Sequence, residues 1–281
     1  MSARLRFRND LTATRQRVRG FTLTEAILVI VITGILASMV AVFIQKPVQG
    51  FFDAARRAAL VDAADTALRR LSRDLHDALP NSVRVSGTAI EFLHVRSAGR
   101  YRQDLPYGGA SGDLLDFSAA DTSFDVLGPP VEVQSGDSIV VYNLGIAGAT
   151  AYDAPTASTS TRRGAVTNFG TAVANVNIAS TLAFPGSSPA KRFQVVDMPI
   201  SYVCAGTQLR RYAGYTITPS QTVPPAGSGD LVADKIATGG CTFAYAAGAS
   251  QRDSLVTIRL NLTDGVESVG LLYQVHVNNV P

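Results

Sequence analysis

Arg19-Gly20-Phe21-Thr22-Leu23-Thr24-Glu25 runs directly into Ala26–Ile44, AILVIVITGILASMVAVFI, a stretch of 19 residues without a charge. At 1.5 Å per residue, a helix over 26–44 is about 28 Å long, close to the hydrocarbon thickness of a bilayer. Residues 1–20 hold Arg4, Arg6, Arg8, Arg15, Arg17 and Arg19 against a single acid, Asp10. The positive-inside rule therefore leaves this leader in the cytoplasm and sends the remainder across the membrane. An ordinary signal peptide has a shorter apolar region with a small-x-small site after it. Here the small residues Ala37 and Ser38 lie inside the apolar run. A plain signal anchor accounts for length and charge but leaves Gly20 and Glu25 unexplained.

Glu25 stands at the edge of the apolar run. A carboxylate in a bilayer costs a few kcal/mol on insertion scales and calls for a named partner. Cleavage after Gly20 would make Phe21 the new N-terminus and Glu25 the fifth residue. The free α-amine of a neighbouring subunit is then a cationic partner at the same membrane depth. Such a contact joins different surfaces of two subunits, and contacts of that kind that do not close build helical filaments.

These residues resemble the type III signal of prepilins and pseudopilins: Gly-Phe, an acid at fixed distance, a basic leader and one long apolar run. The resemblance implies cleavage between Gly20 and Phe21 by a prepilin peptidase, N-methylation of Phe21, and Glu25 as the assembly glutamate. Thr24 departs from the pattern, standing where a larger aliphatic residue is commoner. The leader is longer than in many major pilins, which is more typical of minor subunits.

The bulk numbers fit an exported domain. The chain has 281 residues, 46% hydrophobic and 17% charged, with a formal net charge of +3. The basicity belongs to the leader. Residues 21–281 keep 19 basic and 21 acidic side chains (25 − 6 and 22 − 1), a net charge of −2. A nucleic-acid partner is therefore not expected, because that function needs a basic stripe on the folded body. Two cysteines, Cys204 and Cys241, are too few for a disulfide scaffold or a cysteine zinc site. They suit either one disulfide in an oxidising compartment or two unrelated buried thiols.

Past the membrane run, Leu60, Ala64, Leu68, Leu71, Leu75 and Leu79 recur at helical spacing and form an apolar stripe. Asp65 with Arg69, Arg70 with Asp74 and Arg73 with Asp77 read as ion pairs on the opposite, wet face. Pro47 should kink this helix, and Pro80-Asn81 should end it at Leu79. A helix over 21–79 would be nearly 90 Å long. Thereafter the period becomes two. Strands are expected at 82–85, 89–95 and 138–142, and a hairpin at 255–262 and 269–277 around Thr263-Asp264-Gly265. The stretches 144–190 and 218–229 read as long loops, the former a candidate partner-facing surface.

The head also resembles the minor pilins of the mannose-sensitive haemagglutinin (MSHA) pilus, of the MshO type. Asn81-Ser82-Val83-Arg84-Val85, Ile90-Glu91-Phe92-Leu93, Gly99-Arg100-Tyr101-Arg102, Ser201-Tyr202-Val203-Cys204, Leu209-Arg210-Arg211-Tyr212, Cys241-Thr242-Phe243 and His276-Val277-Asn278-Asn279-Val280-Pro281 carry that resemblance. It implies a low-abundance subunit that primes or caps assembly.

No Walker loop, HExxH or nucleophile elbow occurs, so an enzyme is not expected. His76, His94 and His276 are scattered. Gly108–Asp113 lacks the Lys of a phosphate loop, and Asp104, Asp113 and Asp116 lack EF-hand spacing. No cofactor or metal follows. The expected fold is α+β and pilin-like, a long N-terminal helix on an antiparallel sheet. Its parts are a cleaved leader (1–20), a transmembrane and assembly half-helix (21–45), an amphipathic half-helix (46–79) and a periplasmic head (80–281). Expected partners are the prepilin peptidase, the inner membrane, major and minor pilins and the pilus assembly platform, with the filament then at the cell surface. A type II secretion pseudopilin uses the same parts. A tip adhesin or DNA-uptake subunit would need a basic or aromatic cluster in 144–190, where Arg162-Arg163 is the only basic pair.

Overall fold

The computed structural model describes residues 20–105, 111–179, 181–247 and 253–281. Residues 1–19 of the leader, and 108–110 of the glycine-rich stretch, lie outside the described residues. The chain divides into two compact units, 1–54 and 55–281. Helix α1 (Leu23–His76) starts in the first and ends in the second, and it continues past Pro47.

α1 stops three residues earlier than the leucine pattern implies. Pro80 biases Leu79 towards extended backbone, and the chain uses that conformation to pair with a strand. Ala78 bridges to His94, and the Leu79 N–H donates to the Leu93 carbonyl at 2.7 Å. Leu79 is still fully buried, so it keeps its place in the core without being helical. Asn81 then turns the chain with φ 59°. The Ser82 hydroxyl closes the corner by donating to the Leu79 carbonyl at 2.7 Å.

In the larger unit, fourteen strands form three sheets among the described residues. The spine is an antiparallel ladder between β2 (Ala89–Tyr101) and β9 (Arg192–Ala205). One half of this ladder is extended by β1 (Arg84–Ser86) beside β2, by β10 (Gln208–Ala213) beside β9 and by β11 (Asp230–Ala233) beside β10. The other half closes on itself. From β2 the order runs through β3 (Ser123–Leu127), β8 (Asn175–Ala179), β6 (Arg162–Ala165) and β5 (Ser138–Val141), and so back to β9. This ring encloses Tyr101, Phe124, Ile139, Val176, Phe193 and Val195. Register shifts at His94–Ser97 mark where β2 passes from one half to the other, as bulges do where a strand must bend. β4 (Val131–Val133) and β7 (Gly170–Val173) form a short separate ribbon.

The third sheet is β12 (Ile236–Ala247), β13 (Asp253–Thr263) and β14 (Ser268–Asn278). In β13, Val256, Ile258, Leu260 and Leu262 are buried and alternate with less buried positions. These residues meet Leu60, Ala64, Leu68, Leu71 and Leu75 of α1, together with Ile90, Phe92, Ile200 and Tyr202 of the spine, in one core. Each fully buried Leu or Ile there contributes about 1.5–3 kcal/mol by leaving water. The arrangement is a long N-terminal helix packed on a largely antiparallel β head.

The segment 144–190 departs from the loop expectation. It supplies β6, β7 and β8, two of which complete the ring. Its Ala-, Thr- and Gly-rich composition hides this, since short strands carry little alternation. The wet helix face also differs. Arg69 pairs with Asp65 at 2.6 Å, but Asp74 and Arg70 turn to the head, to Arg211 at 2.6 Å and Asp230 at 3.6 Å.

Candidate assembly site

Gly20 and Phe21 precede the first helical residue, and both are exposed, Phe21 to 69%. Thr22 occupies the N-cap of α1, two residues before Thr24 and three before Glu25. The Glu25 N–H donates to the Thr22 hydroxyl oxygen at 3.3 Å, and that hydroxyl lies 3.4 Å from Glu25 Oε2. The spacing is the Thr-x-x-Glu of a capping box, and one arm of it is made: the Thr22 hydroxyl serves the Glu25 amide, while the Glu25 carboxylate takes the Thr22 hydroxyl. A carboxylate at this position also faces the positive end of the helix dipole. Glu25 therefore has a local role that its place in the apolar run does not disclose. Its side chain remains exposed.

The apolar run stays bare. Ile27, Leu28, Ile30, Leu36, Met39 and Phe43 are each more than half exposed, and α1 is long and apolar enough to cross a membrane. The hydroxyls within it are closed off internally: Thr33 donates to the Val29 carbonyl at 2.5 Å, and Ser38 to that of Ile35 at 2.7 Å. Such back-bonding removes the polar groups that hydrocarbon cannot satisfy.

In the larger unit the polar side chains are spent on the fold. Cys204 on β9 and Cys241 on β12 form a disulfide, Cα atoms 6.3 Å apart, which ties two sheets together. Gly240, next to Cys241, lies in the irregular stretch of β12 against β13, where a Cβ would sit 2.8 Å from the carbonyl oxygens of Ala237 and Asn261.

Glu91 is almost fully buried and accepts from Arg84 Nη2 at 2.8 Å, while Arg84 stacks on Tyr152 at 3.7 Å. Burial raises the Glu91 carboxyl, with Arg84 pulling it back. His94 Nδ1 sits 2.7 Å from Asp197, whose other oxygen is 3.3 Å from Arg96; that guanidinium also reaches Asp137 at 3.0 Å. The Asp197 hydrogen bond raises the His94 imidazole against the effect of burial.

Arg162 and Arg163 are not a surface pair. Arg163 is fully buried, donating to the carbonyls of Ser160 and Arg162 at 2.8 Å and of Ala183 at 2.7 Å. Arg162 donates to the carbonyl of Ala151 at 2.9 Å. Two guanidiniums thus stand in for secondary structure in a segment with little of its own. The acids weighed as cation ligands are also engaged separately: Asp104 with Lys191, Asp113 with Asn175 at 2.9 Å, and Asp116 with Ser118 at 2.7 Å. Among the described residues no group of three His, Cys, Asp or Glu side chains is placed to hold a metal. The sequence reading named Asp74 and Arg163 but gave Asp74 to Arg70 and Arg163 to a surface pair, and it missed the capping role of Thr22, whose spacing to Glu25 was a local signal.

No curated protein and no solved structure matches the chain. One family model does: the prokaryotic N-terminal methylation motif matches residues 15–41, which include Gly20, Phe21, Thr22 and Glu25. A prepilin-type signal ahead of a bare apolar helix, followed by a helix-on-sheet head, supports a type IV pilin-like protein.

Proposed function

We propose that this chain is a minor pilin of an MSHA-like type IV pilus, a structural subunit that acts in priming and assembly and carries out no reaction itself. The methylation motif over 15–41 supports the pilin-like part of this reading. A prepilin peptidase cuts between Gly20 and Phe21 and methylates Phe21. Segment 21–45 anchors the subunit in the inner membrane and later packs in the filament, 46–79 continues that helix, and 80–281 forms the periplasmic head. Glu25, exposed beside its Thr22 cap, neutralises the α-amine of Phe21 on a neighbouring subunit. The MSHA assignment rests on the head's sequence blocks. A type II secretion pseudopilin shares every part named here and differs in the assembly it joins. The tip-adhesin reading loses its one basic pair, because Arg162 and Arg163 are buried among carbonyls.

The decisive experiment is the N-terminal mass of the membrane protein, with and without prepilin peptidase. A methylated Phe21 terminus that depends on the peptidase is the expected result. An intact leader in both strains would make this a simple anchored domain.

A further inference from the structure

We propose that the bend in the spine of the head is a proton-controlled hinge, with His94 as its switch. In the β2–β9 ladder His94 pairs with Met198, Val95 with Val196 and Ser97 with Val195. Two residues are passed over, Asp197 on β9 and Arg96 on β2. Each is the extra residue of a bulge, left without a ladder partner where its strand bends. Side chains therefore hold the bend. Arg96 Nη2 lies 3.3 Å from Asp197 Oδ2, so the two extra residues are paired with each other across the strands.

This pair is tied to the parts of the head on either side of the bend. Towards the ring, Arg96 Nε donates to Asp137 Oδ2 at 3.0 Å, and Arg96 Nη1 lies 3.5 Å from Glu132 on β4. Asp137, just before β5, is itself fixed by the Gln134 N–H at 2.7 Å. Towards α1, His94 Nδ1 lies 2.7 Å from the other oxygen of Asp197. His94 also bridges to Ala78, and the Val95 N–H donates to the Asp77 carbonyl at 2.8 Å. Asp197 is thus shared between a guanidinium joined to the ring and an imidazole joined to the end of α1. Its side chain is 5% exposed and that of His94 26%. The imidazole can exchange its proton with water, while the carboxylate has little water to replace a lost partner.

Of these side chains only the imidazole titrates near neutral pH. Acids face it from each neighbouring element: Asp74 and Asp77 on α1 and Asp197 on β9. The cations are Arg96 on its own strand and Arg211 on β10, which is bound to Asp74. Glu132 and Asp137 act through Arg96. With His94 protonated, two cations hold Asp197. Loss of the proton leaves a neutral donor, whose bond is roughly half as strong, and removes one of the charges that offset the acids. The Asp197 hydrogen bond outweighs burial and raises the imidazole value, so the closed bend binds the proton more tightly than an open one. Acid therefore closes the hinge, and it loosens as pH rises through the folded His94 value.

Hydrogen exchange of the full chain in detergent tests this, read by mass at about pH 5.5 and about pH 8, on either side of the ordinary His value. Segments 77–82 and 93–98 report on the bend, segment 256–262 of β13 on the core, and all rates are corrected for the intrinsic pH dependence of exchange. A local opening needs less free energy than global unfolding, so both bend segments should exchange about tenfold or more faster than β13. Their corrected rates should rise about threefold or more between the two pH values. His94→Gln should exchange there at the parent's high-pH rate at both. Equal corrected rates in the bend and in β13 overturn the hinge, since only global unfolding would then expose these amides. Bend rates in the parent that do not change with pH overturn the proton control, whether or not the variant folds. A pH dependence that survives in a folded His94→Gln overturns His94 as the switch.

Discussion

Asp74 on α1 accepts a hydrogen bond from Arg211 Nε on β10 at 2.6 Å, and the Tyr202 hydroxyl on β9 adds a second at 2.8 Å. One helical carboxylate therefore holds the end of α1 to β9 of the spine and to its neighbour β10. Burial and the Asp74 charge push the Tyr202 phenol up, so it stays a donor at any ordinary pH.

Asp74→Ala should remove both bonds and leave Arg211 without its carboxylate. Hydrogen bonds to charged groups are worth about 1.5–3 kcal/mol, so the head should lose roughly 2–3 kcal/mol. Thermal unfolding of purified protein reads this as a drop of several degrees. A midpoint unchanged within error would show that the contact adds nothing.

Arg163→Lys keeps the charge and loses the planar fork that serves several carbonyls at once. It should destabilise the head by about 3 kcal/mol or more, as breaking a buried charged network does. Faster proteolysis within 144–190 should accompany the loss. Resistance equal to the parent protein would reassign Arg163 to a passive filler.

Stability should decline as pH rises past the histidine range. The His94 value is raised in the fold by Asp197, so its contribution is complete below the ordinary His value of about 6.5 and is lost as pH rises through the folded value. Asp125 has the opposite sign: the Asp113 backbone N–H and Asn175 lower it, so its contribution is lost only in acid. Thermal midpoints between about pH 6 and 8 should therefore fall, and His94→Gln should flatten the trend.

Cys204→Ser should cost roughly 3–4 kcal/mol, the chain-entropy value for a closed loop of this size, because Cys204 and Cys241 are 37 residues apart. Denaturant melts of oxidised and reduced protein give the same comparison without mutation. Free thiols titrating in the protein isolated from cells would remove the disulfide altogether.

Glu25→Gln separates the two roles of this residue. Gln can still accept from the Thr22 hydroxyl and keeps the Thr22 cap but carries no charge to offset an α-amine. We expect Glu25→Gln to be cleaved normally and to fail in filament incorporation as fully as Glu25→Val. Normal incorporation of the Gln variant alone would mean that Glu25 serves only as a cap.

Local chemistry wrote the N-terminal part of this protein. A charge-free run, a Gly-Phe pair, an acid at fixed distance and a leucine stripe each act within a few residues along one chain. So do the alternation of Leu255–Leu262 and its Asp-Gly turn, and the hairpin stands where they indicate. The end of α1 was legible only in part. Proline ends a helix near its own position, but pairing with β2 moved the stop from Leu79 to His76.

The tertiary structure alone decided the rest. Whether Asp74 pairs with Arg70 along the helix or with Arg211 across the core depends on which partner is desolvated beside it, and sequence spacing carries no such information. The same holds for Arg162 and Arg163, whose exposure was set by carbonyls from Ala151 to Ala183 that have no signature of their own. Ring closure through β6 and β8 is a property of which strands meet. Periodicity states which face of a strand is apolar, but not which neighbour it finds.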